Sequence, residues 1–144
     1  MRDAFGVDES TADATLAHRL LFHDGDWRAA DVCGESDRVR VPLHALKPLG
    51  PDRTPRAGAT PQLAISPSSV RLSAFHEASD GYVLRLYESA GAATEARVAL
   101  PARFLQAIRT DFNLEALDAP VKLDGETLTV PLRPWEIATV LLER

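Results

Sequence analysis

The stretch VKLDGETLTVPL, residues 121–132, decides the fold class of this chain. Apolar or β-branched residues alternate with polar ones on both sides of Asp124-Gly125, a dipeptide that favours the tight turn of a β-hairpin. A second stretch has the same form, because residues 70–74 and 82–87 are rich in strand-forming side chains and flank Asp80-Gly81. Two hairpins of this kind predict a mainly β chain, an antiparallel β-sandwich.

Further strands are predicted around these hairpins. Residues 94–100 place Ala96, Val98 and Leu100 on one face, and residues 104–112, 136–142 and 63–65 are additional candidates. If this register is right, one set of side chains is buried: Leu72, Leu84, Leu86, Val98, Leu128, Val130, Ile137 and Leu141. Trp135 is expected to pack against the core near the last strand.

The first half of the chain has a different pattern. Residues 1–13 are polar and predict a flexible N-terminal segment, and residues 14–22 are compatible with a strand or, less well, a helix. Asp26 can cap one short helix near residues 26–38, beginning at Trp27. Prolines at six positions then predict a long extended connector over about residues 42–67, with a mobile loop near 50–60. We expect residues 14–144 to form a single β-rich domain.

Composition limits the class of protein. The 144 residues carry a net charge of -5 with acidic and basic residues mixed, so the basic patch that nucleic-acid binding requires is not expected. Apolar runs fall well short of the roughly 20 residues that span a bilayer, so no membrane partner is expected. The single Cys33 and the polar N-terminus favour the cytoplasm.

Residues with catalytic potential are scattered. His18, His23, His44 and His76 match no zinc-binding spacing, and most carboxylates fall in turns or on polar strand faces. Cys33 is better explained as a small apolar side chain than as a reactive thiol. We therefore predict no catalytic and no metal-binding residue. A small hydrolase that uses His23 with Asp24 or Asp26 is the weakest hypothesis, since no nucleophile or oxyanion site can be named.

Aromatic side chains suggest a sugar-stacking platform. Trp27, Tyr82, Tyr87 and Trp135 could each pack against the C–H face of a carbohydrate, and core or rim packing is the competing interpretation. Tyr82 and Tyr87 have opposite parity on one strand, so these two rings cannot form a single platform.

Residues 69–75 (SVRLSAF), 80–88 (DGYVLRLYE) and 132–140 (LRPWEIATV) resemble the C-terminal region of class II α-mannosidases, glycoside hydrolase family 38. Residues 17–28 (AHRLLFHDGDWR), followed by Val-Pro-Leu at 41–43, look similar to an upstream motif of that family. The sequence departs from this upstream motif at Phe22, where the family has proline, and near Val39 and Arg40. The resemblance covers about residues 14–144.

This resemblance implies a non-catalytic, β-sandwich-rich C-terminal domain that packs beside a catalytic domain, in a family whose full-length members hydrolyse terminal α-mannosides. Zinc and the catalytic aspartates are expected only in that catalytic domain, so no cofactor is expected in this chain, which alone should not be catalytic. Its implied role is to brace the catalytic domain or to mediate assembly, including homo-oligomers. The alternative is a stand-alone carbohydrate-binding module, with His23, Asp26, Trp27 and Trp135 as candidate sugar contacts.

Overall fold

The computed structural model describes residues 20–40 and 63–144. In these ranges the chain forms one helix and eight strands, which are α1 (Val32–Arg40), β1 (Ala64–Ser66), β2 (Val70–Ala78), β3 (Gly81–Glu88), β4 (Thr94–Ala99), β5 (Gln106–Thr110), β6 (Lys122–Asp124), β7 (Thr127–Leu132) and β8 (Ile137–Glu143). No helix in the described ranges combines the length and the apolar character that crossing a membrane requires.

The strands form two four-stranded antiparallel sheets. The first has the order β1-β4-β7-β6 and the second the order β2-β3-β8-β5. Their apolar faces share one core, which is the arrangement of a β-sandwich. The predicted fold class, a mainly β antiparallel sandwich with one short helix, is confirmed.

Both predicted hairpins are confirmed, although their turns are shifted by one residue. Asp124 pairs with Thr127, so the second turn consists of Gly125 and Glu126. In the first hairpin Ala78 pairs with Gly81, which therefore belongs to β3 and not to the turn. A side chain at Gly81 would come within 2.1 Å of the carbonyl oxygen of Leu142, so the close approach of β8 requires glycine at this position.

The core lies between the two sheets. Leu84 and Leu86 of β3 pair with Val140 and Ala138 of β8, and all four side chains are buried. Six of the eight side chains predicted to be buried are so: Leu84, Leu86, Val98, Leu128, Val130 and Leu141. Alternation along the strands therefore identifies most of the core correctly.

The other burial predictions are wrong. Leu72 is 45% exposed because it lies on the edge strand β2, beside a register shift between Leu72 and Ala74. Ile137 is 53% exposed because it starts β8 on the face opposite the buried Ala138. Trp135 is 57% exposed, because it stands in the turn before β8 and does not enter the core.

The N-terminal part begins with a cap at the predicted residue. Asp26 Oδ1 accepts the backbone N–H groups of Arg28 and Ala29, both at 2.9 Å. A turn follows, and α1 starts only at Val32, because Asp31 adopts a left-handed φ of 49° that interrupts the helix. The short helix is confirmed, but it begins five residues later than predicted.

Gly34 and Arg71 dock α1 onto the second sheet. Arg71 of β2 forms an ion pair with Asp31 at the start of the helix. A side chain at Gly34 would collide with both the Asp31 carboxylate and the Arg71 guanidinium. Glycine in the first turn of α1 therefore allows close packing between the helix and β2.

Other predictions for this part of the chain fall mainly outside the described residues. Residues 20–22, the end of the strand predicted over 14–22, are described and do not form a strand. The N-terminal segment 1–13 and most of the connector 42–67, including its loop near 50–60, lie outside the described ranges. The predicted single domain over 14–144 stays a prediction.

Candidate functional site: the tryptophan cluster

Three segments meet at one end of the sandwich. The β3–β4 loop (89–93) and the β7–β8 turn (133–136) lie at the same end, because Tyr87 near the end of β3 pairs with Ile137 at the start of β8. Segment 25–31 joins them, and its Trp27 ring stacks on that of Trp135, with centroids 6.2 Å apart and planes at 21°. We call Trp27, Arg28, Glu88, Gly91 and Trp135 the tryptophan cluster.

Glu88 is the buried centre of this cluster. Its side chain is 2% exposed, and the carboxylate accepts the backbone N–H groups of Ala90 and Gly91 at 2.7 Å, Trp135 at 3.1 Å and Ala92 at 3.3 Å. Burial alone would raise its pKa, but the four amide donors outweigh burial and hold the pKa of Glu88 below its ordinary value of 4.5. Glu88 is therefore ionised at neutral pH and ties the β3–β4 loop to the β7–β8 turn.

Trp135 is fixed from two sides. Its backbone adopts a φ of 62°, a left-handed conformation that is unfavourable for a bulky residue and that its hydrogen bond to Glu88 helps to hold. Gly91, with a φ of 73°, lies directly against the indole, since a side chain there would come within 2.4 Å of Trp135 Cζ2. The exposed indole of Trp135 is thus held in one place by the backbone around it.

Arg28 attaches the N-terminal segment to this end of the sandwich. Its Nε donates to the carbonyl oxygen of Ala90 at 2.7 Å, and its guanidinium lies over the Trp27 ring, 4.4 Å from the centroid. Its other neighbour, the Asp26 carboxylate, is 3.8 Å away. A cleft of about 60 Å³ lies beside this contact and is lined by Trp27, Arg28, Asp31, Cys33, Ser68, Ser69, Arg71, Ser89 and Ala90. It is far smaller than the ~300 Å³ at the lower end of ligand pockets.

The structure brings together three of the four candidate sugar contacts. Asp26, Trp27 and Trp135 lie in or beside the tryptophan cluster, whereas His23 is exposed, with its Nδ1 3.5 Å from the Asp24 carbonyl oxygen. His23 interacts with the Asp26 carboxylate only through its charge, as a minor cause of the lowered pKa of Asp26. Trp27 is 36% exposed and contacts Trp135 and the Arg28 guanidinium. Both indoles therefore already have neighbours against their rings.

Glu88, Gly91 and Arg28 were not predicted as parts of a site. The available signal was Glu88 itself, an acidic residue on the apolar strand YVLRLYE, where a carboxylate is costly unless it is hydrogen-bonded. Its partners could not be inferred, since all four are backbone groups and one of them lies 47 residues away.

Glu136, next to Trp135, forms a second polar centre. Its carboxylate accepts the Arg133 backbone N–H at 2.7 Å and the Arg109 guanidinium at 3.0 Å, and Arg109 is only 5% exposed. Burial raises the pKa of Glu136, but the Arg133 amide and then the Arg109 guanidinium lower it, and the net pKa lies below 4.5. This ion pair fixes the β7–β8 turn against β5.

These carboxylates are poorly suited to acid catalysis. Cleavage of a glycosidic bond needs a carboxylic acid whose pKa is raised so that it carries a proton. Glu88 and Glu136 have lowered pKa values, and hydrogen bonds from Ala29 and then Arg28 lower the pKa of Asp26 despite partial desolvation. A hydrolase based on His23 and Asp26 gains no support from this geometry.

A zinc ion does not fit the described part of the chain. Residues 20–40 and 63–144 contain no group of three or more His, Cys, Asp or Glu side chains placed to hold a metal. The carboxylates of the tryptophan cluster and of the β7–β8 turn are occupied by amide and guanidinium donors.

The fold and the cluster define a β-sandwich domain whose exposed aromatic pair is held by a buried carboxylate. A family model described as the glycosyl hydrolases family 38 C-terminal beta sandwich domain matches residues 69–140, half of the chain. The chain belongs to this family, and the matched region contains both Glu88 and Trp135. No curated protein and no solved structure matches the chain.

Proposed function

We propose that this chain is a non-catalytic assembly domain of an α-mannosidase-like glycoside hydrolase, and that it packs against the catalytic domain of that enzyme. Membership of a family of C-terminal β-sandwich domains supports this role. The catalytic partner would supply the zinc ion and the catalytic aspartates, and a homo-oligomer is the other assembly of this kind. The single Cys33 fits a cytoplasmic setting.

One observation carries the proposal: an exposed tryptophan is held in an unfavourable backbone conformation by a buried charge. Trp135 is 57% exposed at a φ of 62°, and Glu88 is 2% exposed. Backbone strain of this kind persists where surrounding groups enforce it and is concentrated at functional positions. Exposed tryptophan and arginine are enriched at the centres of protein interfaces. The tryptophan cluster is therefore the surface that we assign to the partner.

A carbohydrate-binding module is the second candidate function. The partly exposed indoles of Trp27 and Trp135, with Arg28 and Asp26 beside them, favour it, since a sugar ring packs on an aromatic face while polar groups bind its hydroxyls. The packing of the two rings counts against a carbohydrate-binding module, because a sugar needs an accessible ring face. The Trp27 ring contacts Trp135 and Arg28, and the Trp135 ring contacts Trp27 and Gly91. Assembly with a protein partner is therefore the better supported function.

Hydrolysis of a chromogenic α-mannoside by the purified chain, with and without zinc, tests the non-catalytic role. We expect no turnover at high protein concentration under either condition. Zinc-dependent turnover that survives repurification would contradict the proposal. As a positive control, a complete family 38 α-mannosidase must be active in the same buffer.

Titration with mannose and with a mannobiose, followed by tryptophan fluorescence, separates the two candidates. Both tryptophans of the chain belong to the cluster, so a sugar that stacks there must change the emission. We expect no saturable change. A saturable change that Trp135→Ala abolishes would favour the carbohydrate-binding module.

A further inference from the structure

We propose that Glu88 is an acid-sensitive latch: its carboxylate holds Trp135 beside Trp27, and its protonation releases Trp135 while the sandwich stays folded. The latch lies within this chain and needs no assembly partner. It rests on the geometry of one carboxylate that joins two loops.

The latch consists of four backbone N–H donors and one acceptor, the negatively charged carboxylate of Glu88. Glu88 Oε1 accepts the N–H of Ala90, and Oε2 accepts those of Gly91, Ala92 and Trp135. Among the described residues no cation forms an ion pair with Glu88, so backbone amides compensate its charge there. Protonation of either oxygen removes the negative charge that these four N–H groups compensate, and each of the four hydrogen bonds becomes weaker as a result.

Protonation of Glu88 is expected to affect the Trp135 backbone most. Trp135 keeps its left-handed φ of 62° while its N–H is bound, and this conformation is unfavourable for a bulky side chain. Once that hydrogen bond is lost, the β7–β8 turn can relax and the Trp135 indole can leave Trp27. The apolar core between the sheets contains no titratable side chain among its clustered residues, so it does not respond to the same proton.

Several other charged groups lie near Glu88, and their effects on the indole signals must be distinguished from that of Glu88. Arg28 and Asp26 lie on the N-terminal segment, Arg133 and Glu136 in the β7–β8 turn, Arg71 on β2 and Arg109 on β5 behind Glu136. Glu136 is protonated in the same acid range as Glu88, because its pKa also lies below 4.5. Its side-chain partners include the guanidinium groups of Arg109 and Arg133, which stay charged throughout the acid range, so its protonation weakens these ion pairs, and the variant Glu136→Gln separates this effect from that of Glu88.

The pH range follows from the direction of the shift. The folded-state pKa of Glu88 is lowered, so its stabilising contribution is fully present above about pH 4.5 and is lost as pH falls through the folded pKa. The release therefore belongs below pH 4.5. At neutral pH the latch is closed.

The test is an acid titration of the whole chain, followed by near-UV circular dichroism and tryptophan emission. Both signals report on the cluster, because the chain has 2 tryptophans and both are stacked in it. Far-UV circular dichroism and amide hydrogen exchange in β7 and β8 report on the sandwich in the same samples. We expect a reversible change of the indole signals below pH 4.5 while the sheet signals are retained.

Three variants identify the carboxylate that causes the acid-induced change of the indole signals. Glu88→Gln removes the charge and replaces one of the two acceptor oxygens by an NH2 group, so it should give the acid-state indole signals already at neutral pH. Glu136→Gln should keep the acid step, and Glu95→Gln, on an exposed β4 residue paired with Arg97, should leave the whole titration unchanged.

Indole signals that stay constant down to about pH 3 in a folded sandwich would overturn the latch. So would indole signals that change only together with the sheet signals, or a folded Glu88→Gln variant with the indole signals of the original chain. If Glu88→Gln does not fold, the titration of the unmodified chain decides by itself.

Discussion

The sandwich core and the tryptophan cluster are held by different forces. Core side chains such as Leu84, Leu128 and Val140 are fully buried, and their burial is non-directional and insensitive to pH. The cluster keeps two indoles partly exposed and depends on directional hydrogen bonds to the charged Glu88. The core therefore determines the stability of the domain, while the cluster keeps one surface in a fixed conformation. Substitutions in the core should lower the free energy of unfolding, whereas substitutions in the cluster should mainly change the indole environment.

The largest effect is expected in the core. Leu84→Ala removes a fully buried side chain from the core between the two sheets, so it should lower the free energy of unfolding by about 3 kcal/mol in urea denaturation. Leu105→Ala, at a residue that is 84% exposed, is the matched control and should change the stability by less than about 0.5 kcal/mol. Equal losses in both variants would mean that the core is assigned to the wrong residues.

The next effect is expected at the buried ion pair beside the cluster. Arg109→Met removes the buried guanidinium partner of Glu136, and we expect a loss of about 2 kcal/mol, because the backbone N–H and the exposed guanidinium of Arg133 still donate to the carboxylate. The double variant Arg109→Met/Glu136→Gln should cost less than the single one, since no unpaired charge remains. A double variant with additive losses would contradict the pairing.

Two glycines test the contact with Trp135 directly. Gly91 and Gly125 both have left-handed φ values, 73° and 61°, so alanine at either position should cost about 1 kcal/mol for the backbone alone. A side chain at Gly91 would also collide with the Trp135 indole, whereas none of the neighbouring atoms lies within 4 Å of such a side chain at Gly125. Gly91→Ala should therefore cost about 1 kcal/mol more and change tryptophan emission. Identical behaviour of the two variants would refute the contact.

The smallest effect is expected at the exposed indole itself. A buried tryptophan at position 135 would make Trp135→Ala cost about 3 kcal/mol. Because 57% of Trp135 is exposed, we expect only about 1 kcal/mol in urea denaturation. A loss near 3 kcal/mol would show that the ring is packed in solution.

The sandwich could be predicted from the sequence because alternation and turn residues are local properties. Val98, Leu128 and Val130 follow directly from strands whose apolar residues recur at every second position. The same pattern failed at Leu72 and Ile137, since alternation does not show which strand lies at an edge or which face of a strand end is covered.

The candidate site could be predicted only in part. Trp27, Trp135 and Asp26 stood out by residue type, and the resemblance to α-mannosidases drew attention to the right segments. The contacts that fix them could not be foreseen, because Glu88 binds backbone groups of two separate loops and Trp135 adopts a left-handed conformation that the sequence does not reveal. Such contacts depend on how distant loops meet, and not on a local pattern.

The proposed assembly through the tryptophan cluster is tested most directly by isothermal titration of the chain with the separately produced catalytic domain of a family 38 α-mannosidase. We predict a saturable 1:1 association that Trp135→Ala weakens at least about tenfold, a loss of roughly 1.4 kcal/mol in binding free energy. Leu105→Ala, whose backbone N–H bonds Glu143 at the other end of β8, should leave the affinity unchanged. No association, or an affinity that Trp135→Ala does not alter, would contradict the proposal.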